Sequence, residues 1–495
     1  MFRMLSFSCV STEYIIFFSA VFLIYAAVPK KLRAGTLACC GFLYAALVKP
    51  ECALWAFAVC FITYLAGLLI QIRLINRKSA KPLLVCALTL VFGTLFLLKY
   101  AGVLLPVLFP DIPSDASAGI VLPVGLSFYS FAACGYLVDV YRGEREAEHS
   151  FIDYSLFLTL FPSFTAGPIE RSRRLLAQIK EIGSVRVFDF SRIGSGATLM
   201  LWGYFLKLVV ADRAAVVADA VFGNAWARDS FALLVGAVAY SVQIYADFAG
   251  LSCMALGGAK ILGFDVIDNF DAPYLSGSIR EFWRRWHISL SAWLRDYLYI
   301  PLGGNRRGAV RKYVNILIVF AVCGLWHGSR PTFLVWGLLH GVYQLIGGLT
   351  ARKKRRAYEK LRIDPASFPF RVWRAACNFA LVTLAWIFFR SDSLADAWIY
   401  ISRMFTRPDP WNVLNGSMFR LGLDATEFGI LLAASAVTFG VDLIRCRRKE
   451  NVSQVLRRQH PIVRYALVAA LLIAVLVFGR YGLAFPANAF IYAEF

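Results

Sequence analysis

Apolar runs long enough to cross a bilayer recur along the whole chain, with short polar connections between them. They predict membrane helices over residues 13–28, 35–49, 52–71, 83–105, 119–140, 151–167, 195–212, 231–249, 312–327, 332–349, 372–390, 427–444 and 463–480. Several runs are short or interrupted by glycine, so we expect about 11–13 membrane helices. The pattern predicts an all-α polytopic membrane protein, because a lone signal peptide would leave a polar chain after the first run.

Basic residues cluster in the connections, which indicates how the chain is oriented. Connections rich in Lys and Arg face the cytoplasm; here they are PKKLR (29–33), RLINRKSAK (73–81), YRGERE (141–146), ARKKRR (351–356) and RCRRK (445–449). Loop 106–118 has two aspartates and no Lys or Arg, and we expect it outside. Alternation then also leaves the 391–426 connection and both chain termini outside.

The composition is that of a membrane protein and does not indicate a nucleic-acid partner. Of the 495 residues, 59% are hydrophobic and 17% charged, whereas soluble domains carry roughly a quarter charged residues. The net charge of +21 would point to nucleic acid in a soluble protein, but the basic clusters fit membrane orientation, so we expect no nucleic-acid partner. The eleven cysteines form no CxxC pair and are interpreted as small buried hydrophobes.

The regular pattern fails between about residues 250 and 311. The stretch EFWRRWHISLSAWLRDYLYIPLGG (281–304) is rich in Trp and Arg, as is typical of segments that lie in the membrane interface or re-enter the protein. No repeat or Pro/Ser-rich linker divides the chain. We therefore expect one integral membrane domain over 1–495, with a motif-bearing core at about 120–345.

Three of the five histidines fall in or beside this irregular region. His149 and His460 lie in polar connections and are assigned no role, whereas His287, His327 and His340 lie near apolar runs. A single buried histidine is often a hydrogen-bonded packing residue. Three ionisable groups at membrane depth, however, favour a functional cavity.

Asp247 is a further ionisable residue in an apolar run, and it shares a helical face with Gln243 at a spacing of four residues. The pair either lines the same cavity or joins two helices. The chain has no HExxH pattern or close pair of metal ligands, and no GxSxG motif, so we predict no metal ion. General-base catalysis remains, and an imidazole with an ordinary pKa near 6.5 suits it.

Five motifs appear in order along the chain and are similar to those of one known family. They are LPVGLSFYSFAACGYLVDVYRG (122–143), FPSFTAGPIER (161–171), YADFAGLSCMALGGAKILGF (245–264), NFDAPYLSGSIREFWRRWHISLSAWLRDYLYIPLGGNR (269–306) and CGLWHGSRPTFLVWGLLHG (323–341). They resemble the membrane-bound O-acyltransferase family, most closely its bacterial branch for alginate O-acetylation. The resemblance covers about residues 10 to 400.

The resemblance implies a fold and a pair of site residues. The fold is a helix bundle with re-entrant or interfacial segments around a central funnel, where a cytosolic thioester meets an acceptor from the other side. His327, in LWHG, matches the family's catalytic base, and His287 matches its partner position. We expect the two imidazoles to lie close together in a shared cavity.

Further residues are expected around this pair. His340, Asp247, Gln243, Ser291 and Trp326 are predicted to support the site. Candidates for binding the phosphates of coenzyme A are Arg284, Arg285, Arg295, Arg306 and Arg307, although membrane anchoring explains these arginines equally well. No bound cofactor is expected, and acetyl-CoA or another acyl thioester would be the donor substrate.

The expected function is O-acyl transfer, most simply of acetyl, toward hydroxyls of an extracytoplasmic polysaccharide such as alginate. A periplasmic acetyltransferase partner could receive the group first, and the location would be a bacterial inner membrane. Two alternatives stay open. One is transfer of D-alanine from a carrier protein to teichoic acid; the other is a non-catalytic transporter of acyl groups or glycans, which broken spans with ionisable residues also fit.

Overall fold

The computed structural model describes residues 8–108, 123–413 and 415–481, and in these ranges the regular elements are all helical. The helices are α1 (Thr12–Ala27), α2 (Arg33–Val48), α3 (Pro50–Ile75), α4 (Lys81–Leu108), α5 (Leu126–Tyr141), α6 (Phe151–Thr159), α7 (Ser172–Lys180), α8 (Phe190–Tyr204), α9 (Asp212–Phe222), α10 (Ser230–Leu262), α11 (Ile279–Arg285), α12 (Ile288–Leu294), α13 (Gly308–His327), α14 (Pro331–Lys360), α15 (Phe368–Arg390), α16 (Leu394–Thr406), α17 (Ala425–Arg448), α18 (Val452–Arg457) and α19 (Pro461–Phe478). Two π-helical segments, Phe205–Ala211 and Arg295–Tyr299, follow α8 and α12. The predicted all-α fold is confirmed.

Nine helices of the described ranges are long and apolar enough to cross a membrane, which confirms a multi-pass protein. They are α2, α3, α4, α10, α13, α14, α15, α17 and α19. Helix α1 is apolar but shorter. The other predicted runs overlap α5, α6 and the α8–α9 segment, and the run at 119–140 begins outside the described ranges. The predicted number of 11–13 membrane helices is larger than nine because it counted such runs as crossings. Residues 109–122, and with them most of the predicted outer loop, lie outside the described ranges.

Two predicted boundaries are wrong. The run predicted to end at 249 is part of α10, which continues to Leu262. Its second half is rich in Gly, Ala and Ser, which lowers the apolar signal but permits close helix contact: a Cβ on Gly257 would lie 2.6 Å from Met200 Cγ. The run at 151–167 is α-helical only over Phe151–Thr159, because Pro162, in the short 3₁₀ turn Phe161–Ser163, cannot continue the α-helical ladder.

The described chain divides into two compact units by its contacts. One consists of residues 1–201 and 251–268, and the other of residues 202–250 and 269–495. The single domain over 1–495 stays a prediction.

The first unit is held by close helix packing and a few buried polar contacts. A Cβ on Gly67 of α3 would lie 2.7 Å from the Tyr136 ring of α5, so only glycine permits this approach. Tyr154 of α6 donates a hydrogen bond of 2.7 Å to the buried hydroxyl of Thr63. Such contacts satisfy polar groups that water cannot reach.

The second unit contains all of the predicted site residues. Its core is built from aromatic side chains, among them the fully buried Trp286, Trp336 and Trp386. The Trp336 and Trp386 rings stack with centroids 5.6 Å apart, and Trp286 lies 5.1 Å from Trp386. Wide, rigid rings fix the positions of the elements that carry the histidines.

Candidate functional site

The hairpin of α13 and α14 positions His327, which is the last residue of α13. Two glycines bring the helices together: a Cβ on Gly324 would collide with the carbonyl oxygen of Phe333, and one on Gly337 with that of Phe320. Backbones this close leave little freedom for rotation or sliding. The hairpin therefore fixes both the depth and the direction of the His327 ring.

We expect Gly337→Ala to destabilise the protein by about 1–3 kcal/mol, because the new methyl group overpacks the α13–α14 contact. Gly347→Ala on the same helix is the matched control, since no atom lies within 4 Å of its added Cβ. That change should leave stability equal or slightly higher, as alanine favours a helix. Thermal unfolding of both variants in detergent measures the difference; equal midpoints would contradict the tight packing.

His287 has an uncommon backbone conformation, with φ at 42° and ψ at 56°. This left-handed region is costly for a residue with a Cβ and persists only where the surroundings hold it. Asn269 supplies that hold: its carbonyl accepts from Ile288 N at 3.0 Å, and its side chain accepts from the Ser289 hydroxyl at 2.6 Å. All of these residues lie in the second unit. The sequence did not single out Asn269.

The indole of Trp326 packs near both of the predicted catalytic imidazoles. Its ring centroid is 6.0 Å from that of His287 and 4.6 Å from that of His327. The distance between the imidazole centroids therefore cannot exceed the sum of these two lengths. Phe248 packs edge-on against His287 at 4.7 Å, and Phe389 packs against His327 at 5.1 Å. The structure thus brings the two histidines near each other, and the shared cavity stays a prediction.

His340 lies on α14, one helical turn after Trp336. The Trp336 ring contacts both His327 at 4.9 Å and His340 at 5.2 Å. Trp283 adds an edge contact to His340 at 5.2 Å. His340 is fully buried, and neither ring nitrogen has a hydrogen-bond partner within the described residues. This location fits the predicted supporting position behind His327.

Asp247 belongs to a buried ionic cluster that the sequence analysis did not foresee. Lys207 Nζ lies 2.8 Å from a carboxylate oxygen of Asp247 and 3.0 Å from one of Asp212. All three side chains are less than one-tenth exposed. Phe248, the neighbour of Asp247 in α10, contacts His287. The cluster therefore connects to the site through α10. Gln243 is also buried on α10, and its side-chain oxygen has no hydrogen-bond partner in the described ranges.

Lys207 lies in the π-helical segment Phe205–Ala211. Such segments are uncommon and occur often at functional sites. The sequence held a signal for it, since KLVVAD carries opposite charges five residues apart inside an apolar run. Five residues is the hydrogen-bond spacing of a π-helix, so lysine and Asp212 fall on one side of the segment.

The predicted arginines differ in what they contact. Arg285 is half-buried and forms an ion pair of 2.6 Å with Glu281. Arg295 is exposed and pairs with Asp296 at 2.8 Å. The remaining three, Arg284, Arg306 and Arg307, are exposed. Ser291, on α12, donates to the carbonyl oxygen of Trp286 at 3.3 Å. The guanidinium groups of Arg284, Arg306 and Arg307 are open to phosphate, whereas the ion pairs of Arg285 and Arg295 must first be broken.

Burial lowers the pKa of His287 from 6.5 to about 3, because the fully enclosed ring loses its hydration. The ring is therefore neutral at physiological pH. In the unfolded chain it titrates near pH 6.5, so between about pH 3 and 6.5 the unfolded chain binds the extra proton. Protein stability consequently falls as the pH decreases through this window.

We expect His287→Asn to flatten this dependence. Asparagine tolerates the left-handed backbone and cannot be protonated in this range. The difference in unfolding free energy between pH 8 and pH 5 should shrink by about 2 kcal/mol. Unfolding curves at the two pH values measure it for both proteins. An unchanged difference would mean that the ring is hydrated and titrates normally.

The arrangement suits proton transfer. Within 8–108, 123–413 and 415–481, no three His, Cys, Asp or Glu side chains are grouped so that they could hold a metal ion. Two buried imidazoles that pack near one indole can accept and donate protons near a reacting hydroxyl. The catalytic roles of these residues stay predictions.

Comparison with known proteins places these residues in a family. The sequence model described as "MBOAT, membrane-bound O-acyltransferase family" matches residues 141–386. A protein of Pseudomonas aeruginosa named "Probable alginate O-acetylase AlgI" is 33% identical over 440 residues, covering 86% of this chain and 80% of that protein. A protein of the same name from Pseudomonas syringae pv. tomato is 38% identical over 342 residues, covering 67% of this chain and 61% of its own length.

The chain is also similar to a relative whose name gives peptidoglycan as the acceptor. The peptidoglycan O-acetyltransferase of Helicobacter pylori is 34% identical over 339 residues, covering 62% of this chain and 60% of that protein. The chain therefore matches about three fifths of the length of several relatives. His287 and His327 both fall inside the family match.

Proposed function

The chain belongs to the membrane-bound O-acyltransferase family, in the branch that contains the alginate O-acetylases, and from this premise we propose that it is an O-acyltransferase. It moves an acyl group, acetyl in the simplest case, from a cytosolic thioester such as acetyl-CoA to a hydroxyl on the opposite side of a bacterial inner membrane. The observation that carries the proposal is the pair of buried imidazoles, His287 and His327, which both pack near the Trp326 ring.

In the proposed reaction the acceptor hydroxyl attacks the thioester carbonyl carbon. A carbon–oxygen bond forms, the carbon–sulfur bond breaks, and the coenzyme thiolate leaves. His327 takes the hydroxyl proton during the attack and returns a proton to the thiolate, so charge and atoms balance. A thioester already carries a good leaving group, and removing the proton from the weakly acidic hydroxyl is the step that needs help.

His287 acts on the other reactant in this scheme. Its neutral ring donates a hydrogen bond to the carbonyl oxygen as negative charge develops there, or orients the incoming hydroxyl. Its fixed backbone supports this role, because an accurately placed donor costs no rearrangement during the reaction. His340 and Asp247 act indirectly: His340 through Trp336, and Asp247 through the helix that carries Phe248.

The exposed arginines would form the binding surface for the donor. Arg284, Arg306 and Arg307 precede or follow the α12 segment and are open to solvent. Their guanidinium groups would bind the phosphates of coenzyme A by charge-assisted hydrogen bonds. Because α14 ends in the basic ARKKRR cluster, the start of α13 lies at the same, cytoplasmic end of the hairpin.

The acceptor in the proposal is an extracytoplasmic polysaccharide such as alginate, reached directly or through a periplasmic acetyltransferase. The second candidate keeps the fold and changes the donor to a carrier protein that delivers D-alanine to teichoic acid. The decisive experiment uses purified protein in proteoliposomes with acetyl-CoA labelled in the acetyl group. Label should appear on a saccharide or partner protein enclosed on the other side. Transfer from a D-alanyl carrier protein only would support the second candidate, and no transfer from either donor would overturn both.

A further inference from the structure

A cavity of about 180 Å³ lies beside α16 in the second unit. Its walls come from the end of α9, the α15–α16 connection and one side of α16, and the side chains used below are Phe222, Trp226, Arg390, Asp392, Asp396 and Tyr400. One water needs about 10–15 Å³ of such volume. The space is therefore large enough for a polar molecule of roughly ten non-hydrogen atoms, which is the size of one sugar ring.

The end of α15 contributes both to the His327 site and to the cavity lining. Phe389, which packs on His327 at 5.1 Å, directly precedes Arg390 and Ser391 in the cavity lining. The Thr332 hydroxyl of α14 donates to the Ser391 carbonyl oxygen at 3.3 Å, which joins the start of α14 to that wall. The cavity lining is thus connected through the end of α15 to the residue that packs on the proposed base.

The cavity also lies at the end of the hairpin where an acceptor would arrive. Helix α14 runs from Pro331 to Lys360 and ends in the basic cluster 351–356, which the positive-inside rule assigns to the cytoplasm. The beginning of α14 and the end of α15, where the cavity is located, are therefore at the extracytoplasmic end.

The lining combines aromatic faces with hydrogen-bonding groups. Phe222 and Tyr400 stack with centroids 4.4 Å apart and form an apolar wall. Trp226 is 68% exposed and presents its indole to solvent at the edge of the cavity. Arg390 donates and the carboxylates of Asp392 and Asp396 accept, which suits the several hydroxyls of a sugar, while the aromatic faces suit its C–H surface.

Charge at the cavity distinguishes between classes of sugar. Arg390 pairs with Asp219 at 2.7 Å, and Asp392 pairs with Arg330 at 2.8 Å. Asp396, whose carboxylate accepts from the Ser393 hydroxyl at 2.6 Å, adds one more negative charge. Carboxylates thus outnumber guanidinium groups here, and this excess disfavours an anionic ligand such as a uronate or a phosphate.

We propose that this cavity binds a neutral sugar residue of the acceptor glycan and anchors the chain so that a neighbouring hydroxyl reaches His327. This inference rests on the proposed function, which supplies an extracytoplasmic glycan, and it narrows that glycan to one with neutral sugar residues; alginate, a chain of uronates, would not fit this cavity. The cavity contributes binding affinity and sets which hydroxyl of the glycan reaches His327. The acyl transfer itself takes place outside the cavity.

The test measures binding in the absence of any acyl donor, using full-length protein in nanodiscs and a set of neutral and uronate tetrasaccharides. At least one neutral tetrasaccharide should bind more tightly than every uronate. Trp226→Ala should weaken that binding by about five- to tenfold, because one aromatic stacking face is lost. Trp398→Ala is the matched control: Trp398 is 69% exposed on α16 but does not line the cavity, and its loss should change binding less than about twofold.

Each other outcome overturns the inference. No binding of any neutral tetrasaccharide excludes the site, and uronates that bind equally well exclude the charge argument. Equal losses in the two tryptophan variants exclude the assignment to this cavity. Because no acyl donor is present, the result is independent of whether the chain transfers acyl groups. In the transfer assay, Trp226→Ala should raise KM for the acceptor and leave kcat nearly unchanged, which a general folding defect would not do.

Discussion

Replacing His327 with alanine is expected to lower acyl transfer by about 10²–10⁴-fold while the protein stays folded, because general-base assistance is typically of that size. His327 is 2% exposed and contacts Trp326, Trp336 and Phe389 through its ring. Those rings pack on one another as well, Trp336 against Phe389 at 5.0 Å. Loss of the imidazole therefore removes the base and leaves most of the aromatic core in place.

The measurement is the transfer of labelled acetyl in proteoliposomes, normalised to folded protein by thermal unfolding. His460→Ala serves as the matched control, because His460 is an exposed histidine that makes no side-chain capping hydrogen bond at the start of α19. It should keep full activity. If His327→Ala transferred acetyl at the rate of the control variant, His327 could not be the base, and the proposed mechanism would fail.

Most of the fold was predictable because membrane helices have a strong signature. Within the described ranges each predicted run overlaps a helix, and α10 shows where the signature weakens. Gly250 and Gly257 lower the local hydrophobicity, so the predicted apolar run ends before them. Each glycine nevertheless permits a backbone contact that a larger residue would block. Hydrophobicity measures preference for lipid, whereas these residues serve contact between helices.

The candidate site was predictable only in part. His287, His327 and His340 stand out because ionisable groups are costly at this depth, and the structure brings all three into one aromatic cluster. Lys207 and Asn269 did not stand out. Lys207 lies in a π-helical segment, and Asn269 holds a left-handed residue, His287, that is eighteen positions away in the chain; neither feature arises from local periodicity.

Replacing Lys207 with methionine is expected to destabilise the protein by about 3–5 kcal/mol, because it leaves buried carboxylates without their counter-ion. Lys207 forms ion pairs with both Asp212 and Asp247, and each partner is almost fully enclosed. Lys353→Met gives the matched comparison, as Lys353 is exposed on α14. Its loss should change stability by less than about 0.5 kcal/mol. Unfolding of the purified variants in the same detergent measures both.

A double variant separates the ionic contribution from ordinary packing. Lys207→Met combined with Asp247→Asn removes one buried positive and one buried negative charge together. The double variant should be more stable than Lys207→Met alone, since the unpaired Asp247 carboxylate is gone. Should the two substitutions instead add their costs, Lys207 would be stabilising the fold mainly through its aliphatic stem. Because Asp247 precedes Phe248, which packs on His287, recovery of stability without recovery of acyl transfer would show that the ion pair also orients the site.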